Sequence, residues 1–177
     1  MINFFITTND QIKTEYFNLR LKIFKEELLW EKYESNTELD KKSHLLVATN
    51  ELGKVIAGVQ ILLLKDSEKM ANESDNYSYA NVFEKNGVLP QAFAEIDNLI
   101  IDQCYRKSNI IESLIENIVS FLRQNKVVFL ICVQSESRSR LYCRVLKKYG
   151  ALPVIKEPWS ALEQYNFSKD FLTIYKL

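Results

Sequence analysis

The first half of the chain alternates between the apolar spacing of a strand and that of a helix. Residues 2–6 form a short apolar run, which is typical of a strand. Apolar side chains then recur at helical spacing as far as about Leu28, which predicts a helix. Its start is marked by three side chains that can accept hydrogen bonds from free helical N–H groups, Thr8, Asn9 and Asp10.

Two further apolar runs, at residues 44–49 and 55–64, are rich in β-branched side chains and predict a pair of strands. The short segment between them contains Gly53, which can adopt a positive φ, so we expect a hairpin. The next segment, residues 66–90, follows neither period. We predict a long polar loop there with room for one short helix, and loops of that length in compact domains are usually functional or mobile.

The second half of the chain repeats the alternation of strand and helix. Strands are predicted at residues 93–102 and 127–133, with a final pair at residues 151–155 and 170–177. Two apolar stripes at helical spacing lie between these runs, with Ile111, Leu114, Ile115, Ile118 and Leu122 in the first and Leu141, Tyr142, Val145 and Tyr149 in the second. Gly150 ends the second helix.

The length and composition of the chain fit one domain that spans residues 1–177. Hydrophobic residues make up 47% and charged residues 26% of the chain, which is an ordinary balance for a globular protein. This length is enough for one sizeable core. We therefore predict a single α/β domain with a mixed central sheet of about six to seven strands flanked by helices.

Net charge, apolar runs and cysteine spacing narrow the classes of function. The net charge at pH 7 is zero, which gives no electrostatic reason to expect a nucleic acid or a membrane as partner. No apolar run approaches the roughly 20 residues of a membrane helix, and the first residues lack the basic segment of a signal peptide, so we expect a cytoplasmic protein. Cys104, Cys132 and Cys143 lack metal-ligand spacing, so we expect no metal site. Small apolar roles are expected for these cysteines, with reactive thiols as the alternative.

Charge is distributed unevenly along the chain. Residues 104–148 contain nine Lys or Arg against three Glu, whereas residues 66–102 contain eight acids against two Lys. The basic segment would attract phosphate groups or an acidic carrier protein, and the acidic segment would suit a cationic amine. On the alternative interpretation, the basic residues of the last helix form its solvated face, namely Arg138, Arg140, Arg144, Lys147 and Lys148.

Residues 93–106 read FAEIDNLIIDQCYR, a buried strand followed directly by a turn and a helix start. This segment resembles the central strand and turn of the GNAT acyltransferase superfamily, in which the strand holds the pantetheine arm and the next helix start holds phosphate. Free N–H groups at a helix start bind phosphate without a charged side chain. The resemblance implies an N-acyltransferase that moves an acetyl or longer acyl group to a small-molecule or peptide amine. The donor would be acetyl-CoA, another acyl-CoA or an acyl carrier protein thioester.

By the same resemblance, the backbone of Ile101 would meet the acyl carbonyl. The phosphate loop would consist of Arg106, Lys107, Ser108, Asn109, Ile110 and Ile111. The family's loop is glycine-rich, whereas this chain has Lys107, Asn109 and Ile111 where small residues are expected, and Ile111 would restrict the approach of a diphosphate. The alternative is a GNAT-like module that binds a ligand or partner without catalysis, with Arg106 and Lys107 merely solvating the helix start.

Arg20, Phe24 and Trp30 form a second pattern in the N-terminal part of the chain. They resemble the signature of the acyl-homoserine-lactone (autoinducer) synthases and the related N-acyl amino acid synthases, in which these residue types order the loop over the substrate. The resemblance implies that the three side chains bind substrate. On the alternative interpretation, Phe24 packs in the core, Arg20 is solvated and Trp30 covers the helix end.

The acidic stretch at residues 38–46 resembles the same synthases, but the pattern is incomplete. The second acidic position is Ser43, the basic residue expected late in the third strand is Gln60, and the arginine expected three residues after the strand carboxylate is Asn98. These differences argue against homoserine-lactone synthesis proper and favour a general N-acyltransferase.

Glu95 is the candidate general base, because an amine must lose a proton before it attacks a thioester. It lies an even number of residues before Ile101, and in a regular strand this spacing places both side chains on one face. GNAT enzymes that acetylate lysines are similar in having a glutamate at the position that matches Glu95. The alternative is that Glu95 pairs with a cation such as Arg20.

A second catalytic group would donate a proton to the departing thiolate. The tyrosine that supplies it in the GNAT family aligns with Leu146, and Tyr142 lies one turn earlier on the same helix face. We therefore predict Tyr142 as the donor, with a core tyrosine as the alternative. Ser137 and Ser139 lack a histidine partner, which argues against a serine hydrolase.

Overall fold

The fold is taken from a computed structural model that describes residues 1–29, 38–64, 78–89, 91–159 and 170–177. The strands are β1 (Asn3–Thr7), β2 (His44–Thr49), β3 (Val55–Leu63), β4 (Phe93–Ile101), β5 (Phe129–Ser135), β6 (Leu152–Pro158) and β7 (Asp170–Lys176). The α-helices are α1 (Asp10–Lys22), α2 (Glu38–Lys42), α3 (Tyr79–Lys85), α4 (Ile110–Gln124) and α5 (Glu136–Lys148).

Seven strands form one sheet in the order β1-β2-β3-β4-β5-β7-β6. The pairs β1/β2, β2/β3, β5/β7 and β6/β7 are antiparallel. Helix α4 connects β4 to β5, its neighbour in the sheet, and a helical crossover is the connection that parallel strands require. The predicted α/β class and the predicted number of strands are confirmed. The prediction of one domain over residues 1–177 stays a prediction, since the contacts group the chain into two compact units.

The first unit comprises Met1–Leu62 and Ile96–Ile118. Helix α1 begins where predicted, because the Asn9 side chain accepts hydrogen bonds from the backbone N–H groups of the first turn. The core of this unit is made by α1 and the strands it covers, with Tyr16, Ile23, Phe24, Leu45, Val47, Val55 and Ile100. Gly58 is required by this packing, since a Cβ there would lie 2.7 Å from the Tyr16 ring.

The second unit comprises Leu63–Glu95 and Val119–Leu177. Its interior contains an aromatic cluster in which the Phe83 ring lies 5.2 Å from that of Phe129 and 5.6 Å from that of Phe93. Helix α3 supplies Phe83 and lies inside the segment predicted as a polar loop. The Ser78 hydroxyl caps this helix by accepting from the Ala80 N–H at 3.1 Å. The short helix allowed for at residues 66–90 is thus present, and the earlier part of that segment lies outside the described residues.

Several element boundaries differ from the predictions for physical reasons. The first helix reaches Leu28 only through a π-helical turn, Ile23–Glu27, in which the Leu28 N–H bonds to the Ile23 carbonyl at 3.0 Å. Helix α5 begins at Glu136, before its apolar stripe. The stripe did not mark this start, because the first residues of the helix are polar and exposed. The predicted hairpin is confirmed, with Gly53 at a φ of 76°.

Candidate active site

Strand β4 carries the candidate base, Glu95, and one residue, Asn98, whose backbone is not extended. Asn98 has a φ of 51°, in the left-handed region that asparagine tolerates better than most residues. A residue in that conformation interrupts the extended backbone, so side chains before and after it need not alternate regularly. The inference that Glu95 and Ile101 share a face assumed a regular strand, and the conformation of Asn98 removes that premise.

Glu95 is fully buried, at 0% exposure. Its Oε1 accepts a hydrogen bond from the Tyr79 hydroxyl at 2.9 Å, which fixes the orientation of the carboxylate. Tyr79 was not predicted as a site residue, because it lies in the segment predicted as a loop. A signal was present, since Ser78 is a preferred N-cap residue and Tyr79, Val82 and Phe83 have helical spacing.

Cys132 lies on β5, close enough to Glu95 for the charge of that carboxylate to affect its thiol. Burial, and to a smaller extent the charge of Glu95, raises the pKa of the Cys132 thiol well above its usual value. The thiol is therefore protonated at neutral pH and unsuited to act as a thiolate nucleophile. This agrees with the prediction that this cysteine is a small apolar residue.

Tyr142 projects from the inner face of α5. It is 6% exposed and shares that buried face with Leu146, as the spacing predicted. A buried position suits the core tyrosine that was the alternative, and the role of thiolate donor stays a prediction.

Arg106 is anchored to the C-terminal end of β4 and to the segment after α1. Its Nε donates to the Ile101 carbonyl at 2.9 Å, and its guanidinium forms an ion pair with Glu27. These contacts hold the turn that leads into α4 and leave the Arg106 side chain 44% exposed. Its role as a phosphate ligand stays a prediction.

The start of α4 has the free donors that the resemblance predicts. Lys107, Ser108 and Asn109 are exposed, and the Asn109 carbonyl accepts the first helical bonds from the N–H groups of Glu112 and Ser113. Within the described part of the chain, four backbone N–H groups have no acceptor, those of Lys107, Asn109, Ile110 and Ile111. Such donors at the start of a helix of 15 residues can bind an anion. The side chain of Ile110 is buried and that of Ile111 partly buried.

Arg20 is the centre of a buried polar network in the first unit. It is 1% exposed, and its two terminal nitrogens bind the two carboxylate oxygens of Asp40 at 2.8 Å each. The guanidinium carbon also lies 4.9 Å from the centre of the Phe17 ring. The part of the alternative in which Arg20 is solvated is therefore wrong, and the part in which Phe24 packs in the core is confirmed. The substrate-binding role of both residues stays a prediction. Trp30 lies outside the described residues.

The three positions at which the chain departs from the synthase pattern all join this network. Gln60 accepts from Arg20, and its Nε2 donates to Asp40 at 2.6 Å and to the Ser43 hydroxyl at 3.0 Å. The Asn98 amide donates to the Gln60 oxygen at 2.7 Å. The synthase pattern has charged side chains at the positions of Ser43, Gln60 and Asn98. In this chain the three side chains are neutral, and Gln60 is hydrogen-bonded to both of the others.

Asp97 lies at the edge of the same network. Its carboxylate accepts from the Asn98 amide at 3.0 Å. Burial raises the pKa of Asp97 above its usual value, against the opposing effects of a backbone hydrogen bond and of Arg20. The network therefore holds one arginine and two carboxyl groups, and burial makes the carboxyl group of Asp97 a weaker acid than usual.

The described residues contain no group of three His, Cys, Asp or Glu side chains placed to hold a metal ion. None of their helices combines the length and the apolar character needed to cross a membrane.

Several solved structures share the fold of this chain at low sequence identity. BjaI, a CoA-dependent acyl-homoserine lactone synthase solved with SAM and isopentyl-CoA, is 14% identical with a TM-score of 0.71, over 99% of this chain and 82% of BjaI. FeeM, an N-acyl amino acid synthase from uncultured soil microbes, is 10% identical with a TM-score of 0.68, over 98% and 90% of the two chains. A GNAT family acetyltransferase from Staphylococcus aureus Mu50 is 12% identical with a TM-score of 0.59, over 97% and 98% of the two chains.

The chain therefore has the fold of GNAT acetyltransferases and of these acyl-transferring synthases. This confirms, at the level of fold, both resemblances inferred from residues 93–106 and from the N-terminal pattern. Sequence profiles of known protein families give no match to the chain, and neither do curated protein sequences.

Proposed function

We propose that this chain is an N-acyltransferase that moves an acetyl or longer acyl group from a coenzyme A thioester to the amine of a small molecule or peptide. The observation that carries the proposal is the set of four N–H groups at the start of α4 that have no acceptor among the described residues. The shared fold supports it, since its members include GNAT acetyltransferases and a CoA-dependent synthase. An acyl carrier protein is the second candidate donor, because it also presents a phosphate.

The start of α4 is the proposed phosphate site. The N–H groups of Lys107, Asn109, Ile110 and Ile111 would donate to phosphate oxygens, and the dipole of α4 would add to their attraction. The Lys107 side chain is exposed beside them and would contribute charge. Arg106 acts indirectly here, by fixing the turn through Ile101 and Glu27.

Glu95 is the proposed general base and Tyr79 its positioning residue. The thioester supplies the activated acyl group, and this chain must supply a group that removes a proton from the amine. The carboxylate of Glu95 suits that role by its chemistry and is oriented by the Tyr79 hydroxyl. Tyr142 stays our candidate for returning a proton to the leaving thiolate.

The decisive experiment is amine-dependent release of coenzyme A from acetyl-CoA and from longer acyl-CoA thioesters. Glu95→Gln retains shape and hydrogen bonding, and we expect it to lower turnover by about 10²–10⁴ with little change in thioester affinity. The deficit should shrink at high pH, where the amine loses its proton in solution. Tyr79→Phe should lower turnover by a smaller factor. Unchanged turnover by Glu95→Gln at pH 7 would remove Glu95 from the mechanism.

A second candidate function is a GNAT-like module that binds a ligand without turnover. The burial of both predicted catalytic side chains, Glu95 and Tyr142, favours it. Coenzyme A binding without amine-dependent release of the thiol would identify this alternative. A dedicated autoinducer synthase is the weakest candidate, because Ser43, Gln60 and Asn98 are neutral.

A further inference from the structure

Helix α5 and strands β6 and β7 line an open cavity of about 310 Å³ in the second unit. Four cationic side chains line it, with Arg140, Arg144 and Lys147 on α5 and Lys156 on β6. The three helical cations follow a helical spacing and therefore lie along one side of α5. From the sequence, the basic residues of this helix were interpreted either as a solvated face or as an attraction for phosphate groups or an acidic carrier protein. Of these residues, Arg140, Arg144 and Lys147 line the cavity, whereas Arg138 does not.

The charges around the cavity are poorly neutralised by the protein. Arg140 has Glu136 at 3.4 Å, but both side chains are more than half exposed, so this ion pair is weak. The Lys156 ammonium lies over the Phe171 ring at 4.9 Å, a contact that leaves its charge in place. In the part of the chain that the structure describes, Arg144 and Lys147 have no carboxylate within ion-pair distance, and no acidic side chain lines the cavity.

Residues with buried hydroxyl groups also line the cavity, and one of these hydroxyls makes no hydrogen bond of good geometry to a described residue. Tyr175 is fully buried and lines the cavity, and its hydroxyl lies near those of Ser139 and Thr173 without a hydrogen bond of good geometry to any described residue. The hydroxyls of Ser139 and Thr173, which also line it, lie 3.2 Å apart and bond to each other. A buried hydroxyl without a partner is costly, and a bound molecule with an acceptor group would remove that cost.

We propose that this cavity binds a small phosphate-bearing ligand, such as a sugar phosphate or a mononucleotide. Its phosphate would meet the cations of α5 and β6, and a polar atom of its remaining part would accept from the Tyr175 hydroxyl. The volume is at the lower end of the roughly 300–1,000 Å³ range of small-molecule sites, which fits a compact ligand rather than an extended polymer. The residues involved are different from those at the start of α4, so this site is additional to the proposed thioester site.

Cys143 provides a local reporter, because it lines the cavity and is partly exposed. Cys132 is buried, and Cys104 is exposed, so in a Cys104→Ser background alkylation by iodoacetamide would report on Cys143. We expect ribose 5-phosphate or adenosine monophosphate, at ten times its dissociation constant, to slow this alkylation by about tenfold. Inorganic phosphate should protect more weakly, since it lacks a group that reaches Tyr175.

Three variants and one matched control test which residues bind the ligand. Affinity is measured by calorimetric titration with ribose 5-phosphate and adenosine monophosphate at low salt. Arg144→Gln and Lys156→Gln should each weaken binding by about tenfold, since charge-assisted bonds to phosphate are lost. Arg138→Gln is the control, because it removes an exposed charge from the same helix outside the cavity, and it should change affinity less than about twofold. Tyr175→Phe should weaken binding yet raise the melting temperature of the free protein, since it deletes an unsatisfied hydroxyl.

The proposal is overturned if neither compound protects Cys143 or binds at millimolar concentration. It is also overturned if Arg138→Gln weakens binding of these compounds as much as Arg144→Gln does. A third contrary result would be a single-stranded oligonucleotide that competes with these compounds equally well in the wild type and in Tyr175→Phe. Those results would describe a generic cationic face. Because Cys143 reports on this cavity alone, failure here is distinguishable from absence of acyl transfer, which is measured separately by amine-dependent release of coenzyme A.

Discussion

The network around Arg20 and the start of α4 belong to the same compact unit, but they differ in how many of their donors find acceptors. In the network, side-chain donors of Arg20, Gln60 and Asn98 bond to oxygens of neighbouring side chains, and the region is largely buried. At the start of α4, four backbone N–H groups have no acceptor in the described part of the chain, and two of them belong to the exposed residues Lys107 and Asn109.

The difference indicates two kinds of polar region within one unit. A buried network whose donors are mostly satisfied rigidifies the protein and is costly to disturb, because removing one member leaves others desolvated and unpaired. Unsatisfied exposed donors contribute little to stability and are available for a ligand. The network should therefore respond to substitution in unfolding experiments, and the helix start in binding experiments.

The largest expected effect is the loss of stability on removal of the Asp40 carboxylate. Asp40→Ala would leave the buried Arg20 guanidinium without its bidentate partner, and we expect a loss of about 3–5 kcal/mol in the free energy of unfolding. Urea titration followed by circular dichroism measures it. Glu38→Ala is the matched control on the same helix, because its ion pair with Lys41 is exposed, and it should leave stability unchanged. Equal effects of the two substitutions would show that the network is not a stabilising unit.

The next effect separates direct from indirect action of Arg106 at the helix start. Arg106→Ala should raise the Michaelis constant for the thioester by several-fold to tenfold, because the turn before α4 loses its anchor. If Arg106 acts by holding the turn, Glu27→Gln should raise this constant in the same direction. If Arg106 instead binds phosphate directly, Glu27→Gln would release the guanidinium and leave the constant unchanged or lower. Steady-state kinetics at two salt concentrations distinguish the two cases.

A smaller effect is expected at Ile111, where the glycine-rich loop of the GNAT family has a small residue. Ile111→Gly should tighten coenzyme A binding by a few-fold, since removal of the side chain lets a diphosphate approach the free N–H groups more closely. A single phosphate, as in 4′-phosphopantetheine, should gain less. Ile111→Val is the control, because it keeps a branched side chain. Calorimetric titration that shows equal or weaker coenzyme A binding by Ile111→Gly would remove the steric argument.

How much of the fold could be predicted depended on the hydrophobic period. The β2–β3 hairpin and the stripe of α4 were predictable because long runs of buried positions express a single period. The π-helical turn after α1 and the first turn of α5 were not, because the first departs from the α-helical period and the second is polar and exposed. The spacing of apolar residues predicted an α/β domain but not which α/β fold. The resemblance of residues 93–106 to the GNAT superfamily supplied that fold.

The candidate site was less predictable, because its geometry depends on contacts between distant parts of the chain. Asn98 was noted as a missing charge, and its left-handed backbone and its bond to Gln60 could not be read from spacing. Tyr79 was missed because a short helix in a polar segment has a weak hydrophobic signal. Arg20 was recognised by type and spacing, but its partner Asp40 lies twenty positions away in the chain.

The smallest expected effect concerns Asp97 and the dependence of stability on pH. Burial raises the pKa of this carboxyl in the folded protein above the value of 3.8 that it has when unfolded, so between these two values the folded state binds more protons than the unfolded state. The free energy of unfolding should then fall as the pH rises through this interval, and the ionised carboxylate should disfavour folding at neutral pH. Asp97→Asn keeps an oxygen that can accept from the Asn98 amide, and it should raise stability at pH 7 by less than about 1 kcal/mol while flattening the profile above pH 3.8. Urea unfolding of both proteins from pH 4 to 8 measures the difference. A loss of stability at pH 7 in Asp97→Asn would mean that Arg20 needs both carboxylates, and Asp97 would then belong with Asp40 among the charges that hold the network together.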